Sequence, residues 1–299
     1  MQRSSEVGLV RLGFGCAGLH GSVSRSEAAA LLETALDHGV AHFDTARSYG
    51  WGDAEGMLGE IAARRRDEMI IVTKAGLEPP HPVERAANAV LRRLPGLPRF
   101  PEGRFHQFAP ERIARSVETS LRRLRTEWVD ALLMHEVRLQ DVTDDLKRTL
   151  EDLKRAGKVA KVGIATSVEE SAAIVAAHPD LCELVQVPIG PVGAPSPARL
   201  APDIFVVHSV LGARLANFMS HLAADGASAA DFAAATSCDP KDKGAVAQLM
   251  LAAAMREGVA LFASSSRAHI ATNAKLLASA ADSDALHGYD DFALRLAAA

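Results

Sequence analysis

Eight apolar runs of strand length alternate with amphipathic stretches along one chain, and this order predicts an α/β protein, a single (β/α)8 barrel spanning residues 1–299. Two further observations point the same way. No Pro/Gly/Ser linker or break in composition divides the 299 residues into two cores, and barrels of this class commonly use about 250 residues as one domain. Ionisable residues also collect at the carboxyl ends of three consecutive runs, the face on which such barrels carry their chemistry.

The strand candidates are 12–17, 40–44, 69–74, 130–135, 161–166, 184–188, 204–209 and 259–263. Ser24 with Glu27 three residues on reads as a capping box for the first helix, and Gly39 closes it. Ser167 and Glu170 repeat the capping pattern after the fifth strand. Ile113, Val117, Leu121 and Leu124 form an inward stripe on a helix opened by Pro110 and Glu111. Leu146, Leu150 and Leu153 form another ahead of Gly157, and Gly258 ends a helix that begins near Pro240. One connection stands apart: a Pro- and Arg-rich insertion at about 75–109, after the third strand, whose 83–94 part is compatible with a short helix. Loops of that length in a compact domain are usually functional or mobile. It reads either as a lid over the carboxyl end of the barrel or as a surface excursion.

A net charge of −4 with no basic stripe excludes a nucleic-acid footprint. Cys16, Cys182 and Cys238 are odd in number and lack metal-ligand spacing, so they read as reduced thiols of a cytoplasmic protein without a metal site. Arg11 interrupts the apolar stretch near the N-terminus, and the run 245–255 includes Gln248. Neither approaches the ~20 apolar residues of a membrane span, and no signal peptide is expected.

The chemistry lies at the strand ends. Asp44 closes the second run and Tyr49 follows five residues later, Lys74 closes the third, and His135 closes the fourth. A phenol with an ordinary pKa near ~10 becomes a usable proton donor at neutral pH beside a lysine cation. Each residue alone has a plainer reading: Asp44 a helix cap, Lys74 and His135 solvated strand ends, Tyr49 a packing residue with a polar tip. Independent structural needs do not select all four on three successive strand ends. The set outlines a carbonyl-reducing site.

These segments resemble the aldo-keto reductase superfamily over nearly the whole chain, in its bacterial-type, monomeric barrel form. Asp44-Thr45-Ala46-Arg47-Ser48-Tyr49-Gly50, Thr73-Lys74 and Asp130 through His135 match its motifs. The resemblance implies a catalytic tetrad of Asp44, Tyr49, Lys74 and His135, and a nicotinamide dinucleotide lying extended across the barrel mouth. It places Gln186 on the cofactor's carboxamide, Ser264, Ser265, Ser266 and Arg267 at its phosphates, and Asn273 at its adenine. Three departures accompany the match. Ala165-Thr166 replaces the family's Ser-Asn, so one carboxamide ligand is lost and Thr166 is an altered one. His208 stands where an aromatic ring usually stacks on the nicotinamide. His269 stands where an Arg commonly clamps the 2′-phosphate, and it reads equally as a phosphate contact or a helix-surface residue; Arg267 and Lys275 are nearby.

The expected function is NAD(P)(H)-dependent reduction of an aldehyde, ketone or sugar carbonyl, or the reverse, with NADP(H) preferred and NAD(H) second. Tyr49 gives the proton while His135 orients the carbonyl. Leu19, His20 and Trp51 are the candidate pocket walls, and a monomer or weak oligomer is expected. Two other readings differ in class. A dinucleotide-binding sensor or regulatory subunit is compatible with the altered carboxamide ligands, but has no need of a Tyr–Lys–Asp arrangement. A Schiff-base aldolase would need Lys74 neutral, which a neighbouring Asp44 opposes.

Overall fold

The computed structural model describes residues 10–19, 23–79, 105–194, 204–278 and 282–298. The eight expected strands close into a barrel. Its staves are β1 (Leu12–Gly15), β2 (His42–Asp44), β3 (Ile70–Ala75), β6 (Val129–His135), β7 (Val159–Ala165), β8 (Leu184–Pro188), β9 (Ile204–His208) and β10 (Val259–Phe262). Each pairs in parallel with the next, and β10 returns to β1 through Leu12↔Ala260. Inward residues from alternate pleats of β3, β6, β9 and their neighbours, among them Ile70, Val72, Leu133 and Val206, fill the interior, so the barrel is a packed core and not a pore.

The helices are α1 (Arg25–Asp37), α2 (Ala54–Arg65), α3 (Pro110–Leu124), α4 (Asp144–Arg155), α5 (Val168–Ala177), α6 (Ala213–Ala224), α7 (Gly226–Thr236), α8 (Lys243–Glu257), α9 (Arg267–Ala274) and α10 (Ser283–Ala298). The two leucine-rich stripes behave as the periodicity demands: Ile113, Val117, Leu121 and Leu124 on α3, and Leu146, Leu150 and Leu153 on α4, are all buried against the barrel. Each such side chain withdrawn from water contributes about 1.5–3 kcal/mol. A second, smaller core lies apart from the barrel, where Phe218, Phe232, Tyr289 and Phe292 from α6, α7 and α10 meet edge to face.

Local signals held in part. The capping box of Ser24 and Glu27 is complete, and Gly39 takes the left-handed φ of +85° past the end of α1. Ser167 accepts from Glu170 N, but the Glu170 carboxylate turns to Leu139 N at 2.9 Å, joining two barrel-rim loops. Asp242, not Pro240, opens α8. Gly258 ends α8 in extended backbone; its need is space, since a Cβ there would stand 2.2 Å from Phe205 O. At the insertion, β4 (Leu77–Glu78) and β5 (Phe105–His106) pair antiparallel as a stalk. The helix expected over 83–94 and any lid fall outside the described residues.

Candidate active site

The site is built by the strand pleat and by ladder bonds that outlast the strands. Asp44 and Lys74 both face the interior at the carboxyl ends of β2 and β3, and each is buried. Thr45 N donates to Val72 O at 2.8 Å and Arg47 N to Lys74 O at 3.3 Å, so the loop after β2 stays registered on β3 until it reaches Tyr49. The turn beyond, Gly50-Trp51-Gly52, runs through three successive left-handed residues, with Trp51 at φ 60°, an uncommon conformation for a bulky residue.

Lys74 Nζ donates to both Asp44 oxygens at 2.7 Å, to Thr45 O at 3.0 Å and to Tyr49 Oη at 3.2 Å. The edge of one ring meets the face of the other between Tyr49 and His135, with centroids 5.8 Å apart. All four expected tetrad residues therefore converge. Burial works to deprotonate Lys74, but the Asp44 carboxylate and the Tyr49 oxygen outweigh it and hold the ammonium above the usual lysine range. Burial pushes the Tyr49 phenol up, against the downward pull of Lys74 and with a further push from Asp44. This revises the expectation that Lys74 leaves the phenol below its ordinary value: the lysine offsets part of a larger desolvation effect. The resting phenol keeps its proton, as a donor must.

Tyr49 and Asp44 open onto a cavity of about 710 Å3 that also includes Gln186, His208, Arg214, His221, Phe262 and Leu296 in its walls. Gln186 is 2% exposed, and its Oε1 is buried with no hydrogen-bond partner among the described residues. His135, Ala165 and Gln186 are register partners across β6, β7 and β8, so this orphan acceptor lies on the register row of His135. Burial lowers the His208 pKa, leaving a neutral ring whose Nδ1 lies 2.9 Å from Ser209 Oγ. Thr166 is buried just past β7.

The remaining expected residues lie elsewhere. Ser266 caps α9 by accepting from His269 N, and Ser264 Oγ accepts from Ser266 N. Ser265 and Arg267 border a separate cleft of about 510 Å3 against α1; His269 is exposed and Asn273 is buried on α9. Leu19 corrects an expectation: it is 3% exposed and packed in the main core, not in the cavity wall. The cause is the short turn Cys16–Gly18, closed by Leu19 N to Cys16 O at 3.0 Å, which folds the side chain inward. Trp51 is half-buried and lies outside the walls of the 710 Å3 cavity. His20 is outside the described residues. Among the described residues no cluster of His, Cys, Asp and Glu could hold a metal ion, and no helix is long and apolar enough to cross a membrane.

Sequence reasoning missed Arg214, whose Nη1 is buried without a partner among the described residues while its Nε donates to Gly190 O at 2.8 Å. A lone cation on the first turn after the β9 loop was the available signal.

The chain is thus a closed parallel barrel with a buried Lys–Asp pair set against a tyrosine at its carboxyl mouth. A sequence model described as the aldo/keto reductase family matches residues 11–187, and the chain belongs to that family. Among similar proteins, a D-threo-aldose 1-dehydrogenase of a Pseudomonas species is 32% identical over 177 residues, 54% of this chain and 51% of that protein. L-galactose dehydrogenase of Arabidopsis thaliana is 30% identical over 162 residues, 51% of this chain and 43% of that protein. The chain thus spans about half or less of the length of the curated relatives it matches. An aldo-keto reductase of Bacillus halodurans in its holo form superposes with a TM-score of 0.72 at 19% identity, covering 94% of this chain and 91% of that one. One from Klebsiella pneumoniae in complex with NADPH gives 0.69 at 22% identity, covering 98% and 96%. At those identities the structural likeness concerns the fold.

Proposed function

We propose that this chain is a nicotinamide-dinucleotide-dependent oxidoreductase that interconverts a sugar or small aldehyde carbonyl and its alcohol, with Tyr49 as general acid in reduction and general base in oxidation. The observation that carries the reading is the 3.2 Å contact of the Asp44-paired Lys74 ammonium with the Tyr49 hydroxyl at the floor of the cavity. A carbonyl oxygen seated between Tyr49 and His135 takes the phenolic proton as negative charge develops on it, and the Lys74 cation stabilises the phenolate left behind. A Schiff-base role for Lys74 is disfavoured by the same geometry, because Asp44 keeps the amine charged and therefore non-nucleophilic.

The residues present fit a dinucleotide. Gln186 offers its orphaned Oε1 to a carboxamide N–H, the neutral His208 ring offers a face for the nicotinamide, and Thr166 is a second polar neighbour. Arg214 would meet a phosphate, with Ser264, Ser265, Ser266, Arg267, His269 and Asn273 toward the adenosine end. When bound, that cofactor supplies or accepts the hydride. NADP(H) is the preferred form because Arg267 is available for a 2′-phosphate, with NAD(H) second. The sugar preference is supported by relatives whose names are those of aldose and galactose dehydrogenases.

The test is a screen of aldoses and short aldehydes with both dinucleotides, repeated with Tyr49→Phe. Turnover should fall by about 10²–10⁴-fold while dinucleotide affinity stays constant. Undiminished turnover in the variant refutes the acid assignment. Dinucleotide binding without turnover of any substrate favours the regulatory reading.

A further inference from the structure

Behind the tetrad, on the outer side of β2 and β3, lies a second charged cluster that the proposed chemistry does not use. Arg47, in the loop between Asp44 and Tyr49, is 6% exposed. Its Nη1 donates to Glu55 Oε2 on α2 at 3.0 Å, and its Nη2 donates to Glu78 Oε2 on β4 at 3.2 Å. The other oxygen of Glu55 accepts from Thr73 Oγ1 at 2.8 Å, and the other oxygen of Glu78 accepts from Ser116 Oγ on α3 at 2.5 Å. Glu55 is fully buried.

The two bonds of Glu55 are the informative ones. Thr73 precedes Lys74 on β3 and, by the pleat, points outward where Lys74 points inward. Arg47 lies two residues before Tyr49 on a loop that β3 already holds through its ladder bonds. One carboxylate therefore grips the strand of the lysine with one oxygen and the loop of the tyrosine with the other. A buried charge of this kind is costly to desolvate unless both oxygens are bonded, and here both are. We infer that Glu55 is a positioning residue: through Thr73 and Arg47 it fixes the separation of Lys74 and Tyr49 from the far side of the sheet. Its effect on turnover rests on the proposed reduction; its effect on the contact does not.

The phenol reports on that contact. The groups facing it are Lys74 from β3, Asp44 from β2, His135 from β6 and Cys16 after β1, and Lys74 is the one that both touches it and favours its ionisation. The sequence has only two tyrosines, Tyr49 and Tyr289, so protein labelled with 3-fluorotyrosine gives two 19F resonances, assigned by Tyr289→Phe. The fluorinated ring also ionises at lower pH than tyrosine, which moves the titration away from the alkaline limit of the fold. In Glu55→Gln and in Thr73→Val the Tyr49 resonance should titrate at higher pH than in the parent, since a looser Lys74 pulls less strongly on the phenol. Thr73→Ser, which keeps the hydroxyl, should restore the parent curve. Arg47 retains Glu78 in every variant, so the cluster is not left with an unpaired buried cation. If Glu55→Gln does not fold, the two Thr73 variants decide alone.

With turnover in hand, kcat should fall about tenfold to a hundredfold, the scale of a misplaced but intact catalytic group, with dinucleotide affinity unchanged. An unchanged or downward titration in the folded variants overturns the positioning role and leaves the cluster a stability element. A shifted titration in a protein with no reductase activity preserves the role and refutes the proposed function instead.

Discussion

His42 gives the barrel a calculable sensitivity to acid. It lies on β2 two residues before Asp44, on the same inward face, and it is fully buried. Its ring occupies the space above Gly13, where a Cβ would stand 2.8 Å from the imidazole. Both ring nitrogens are buried without a hydrogen-bond partner among the described residues. Burial drives its pKa from 6.5 to about 4, with Asp44 opposing and Lys74 assisting. The folded value lies below that of the unfolded chain, so unfolding takes up a proton once the pH drops below about 6.5. The contribution of His42 to stability is therefore intact above that pH, is lost as pH falls toward 4, and changes no further below it. The full span is about 3 kcal/mol, at 1.36 kcal/mol per unit of pKa, of which about 2 kcal/mol is lost between pH 7 and pH 5. Urea unfolding of the parent and of His42→Leu at these two pH values isolates the term, because other titrating groups are common to both proteins. The variant should lose about 2 kcal/mol less than the parent over the interval. An equal loss in both refutes the reasoning and means that the imidazole gains a proton without leaving the fold.

Two further outcomes follow from the sheet and the cofactor region. Asp130 accepts from Ile71 N and from Arg66 Nη2, each at 2.8 Å, and Asp130→Ala should destabilise by about 1–3 kcal/mol in thermal or urea unfolding, because it removes the acceptor of the buried Ile71 N–H, while Arg66 keeps Met69 O and Trp128. Arg267→Ala should weaken NADP(H) more than NAD(H) in a fluorescence titration, since a charge-assisted pair is lost only where the 2′-phosphate is present; equal weakening removes Arg267 from that role.

The sequence disclosed what depends on short range. Apolar runs located all eight staves to within two or three residues, because inward and outward faces are both buried in a helix-covered barrel and leave near-continuous hydrophobic segments. The tetrad was legible because strand ends deliver residues to one face of such a barrel. What stayed hidden depends on partners far apart in the chain. Glu55 and Glu78 belong to no motif in the sequence, and only the fold places Arg47 between them. Leu19 read as a pocket wall because a strand-end position cannot reveal a three-residue turn that rotates it inward. The α6–α7 hairpin, rich in Ala, gives Phe218 and Phe232 to the smaller core, where the ring partners Tyr289 and Phe292 lie far along the chain.

That smaller core divides responsibility within the molecule. Phe218 and Leu296, which wall the cavity, belong to the helical cluster of α6, α7, α8 and α10, whereas Asp44, Tyr49 and Lys74 are anchored to the barrel. The reacting groups and the far wall facing them thus rest on two packing units with separate interiors. The clusters meet on α8, which gives Leu251 and Ala254 to the barrel's and Val246 and Met250 to the helical one, while Gln186, His208 and Phe262 keep the rest of the wall on the staves. A change of cavity shape on the Phe218 and Leu296 side is therefore open to this scaffold by exchange of side chains outside the cluster that holds Phe14, Phe43 and Tyr49.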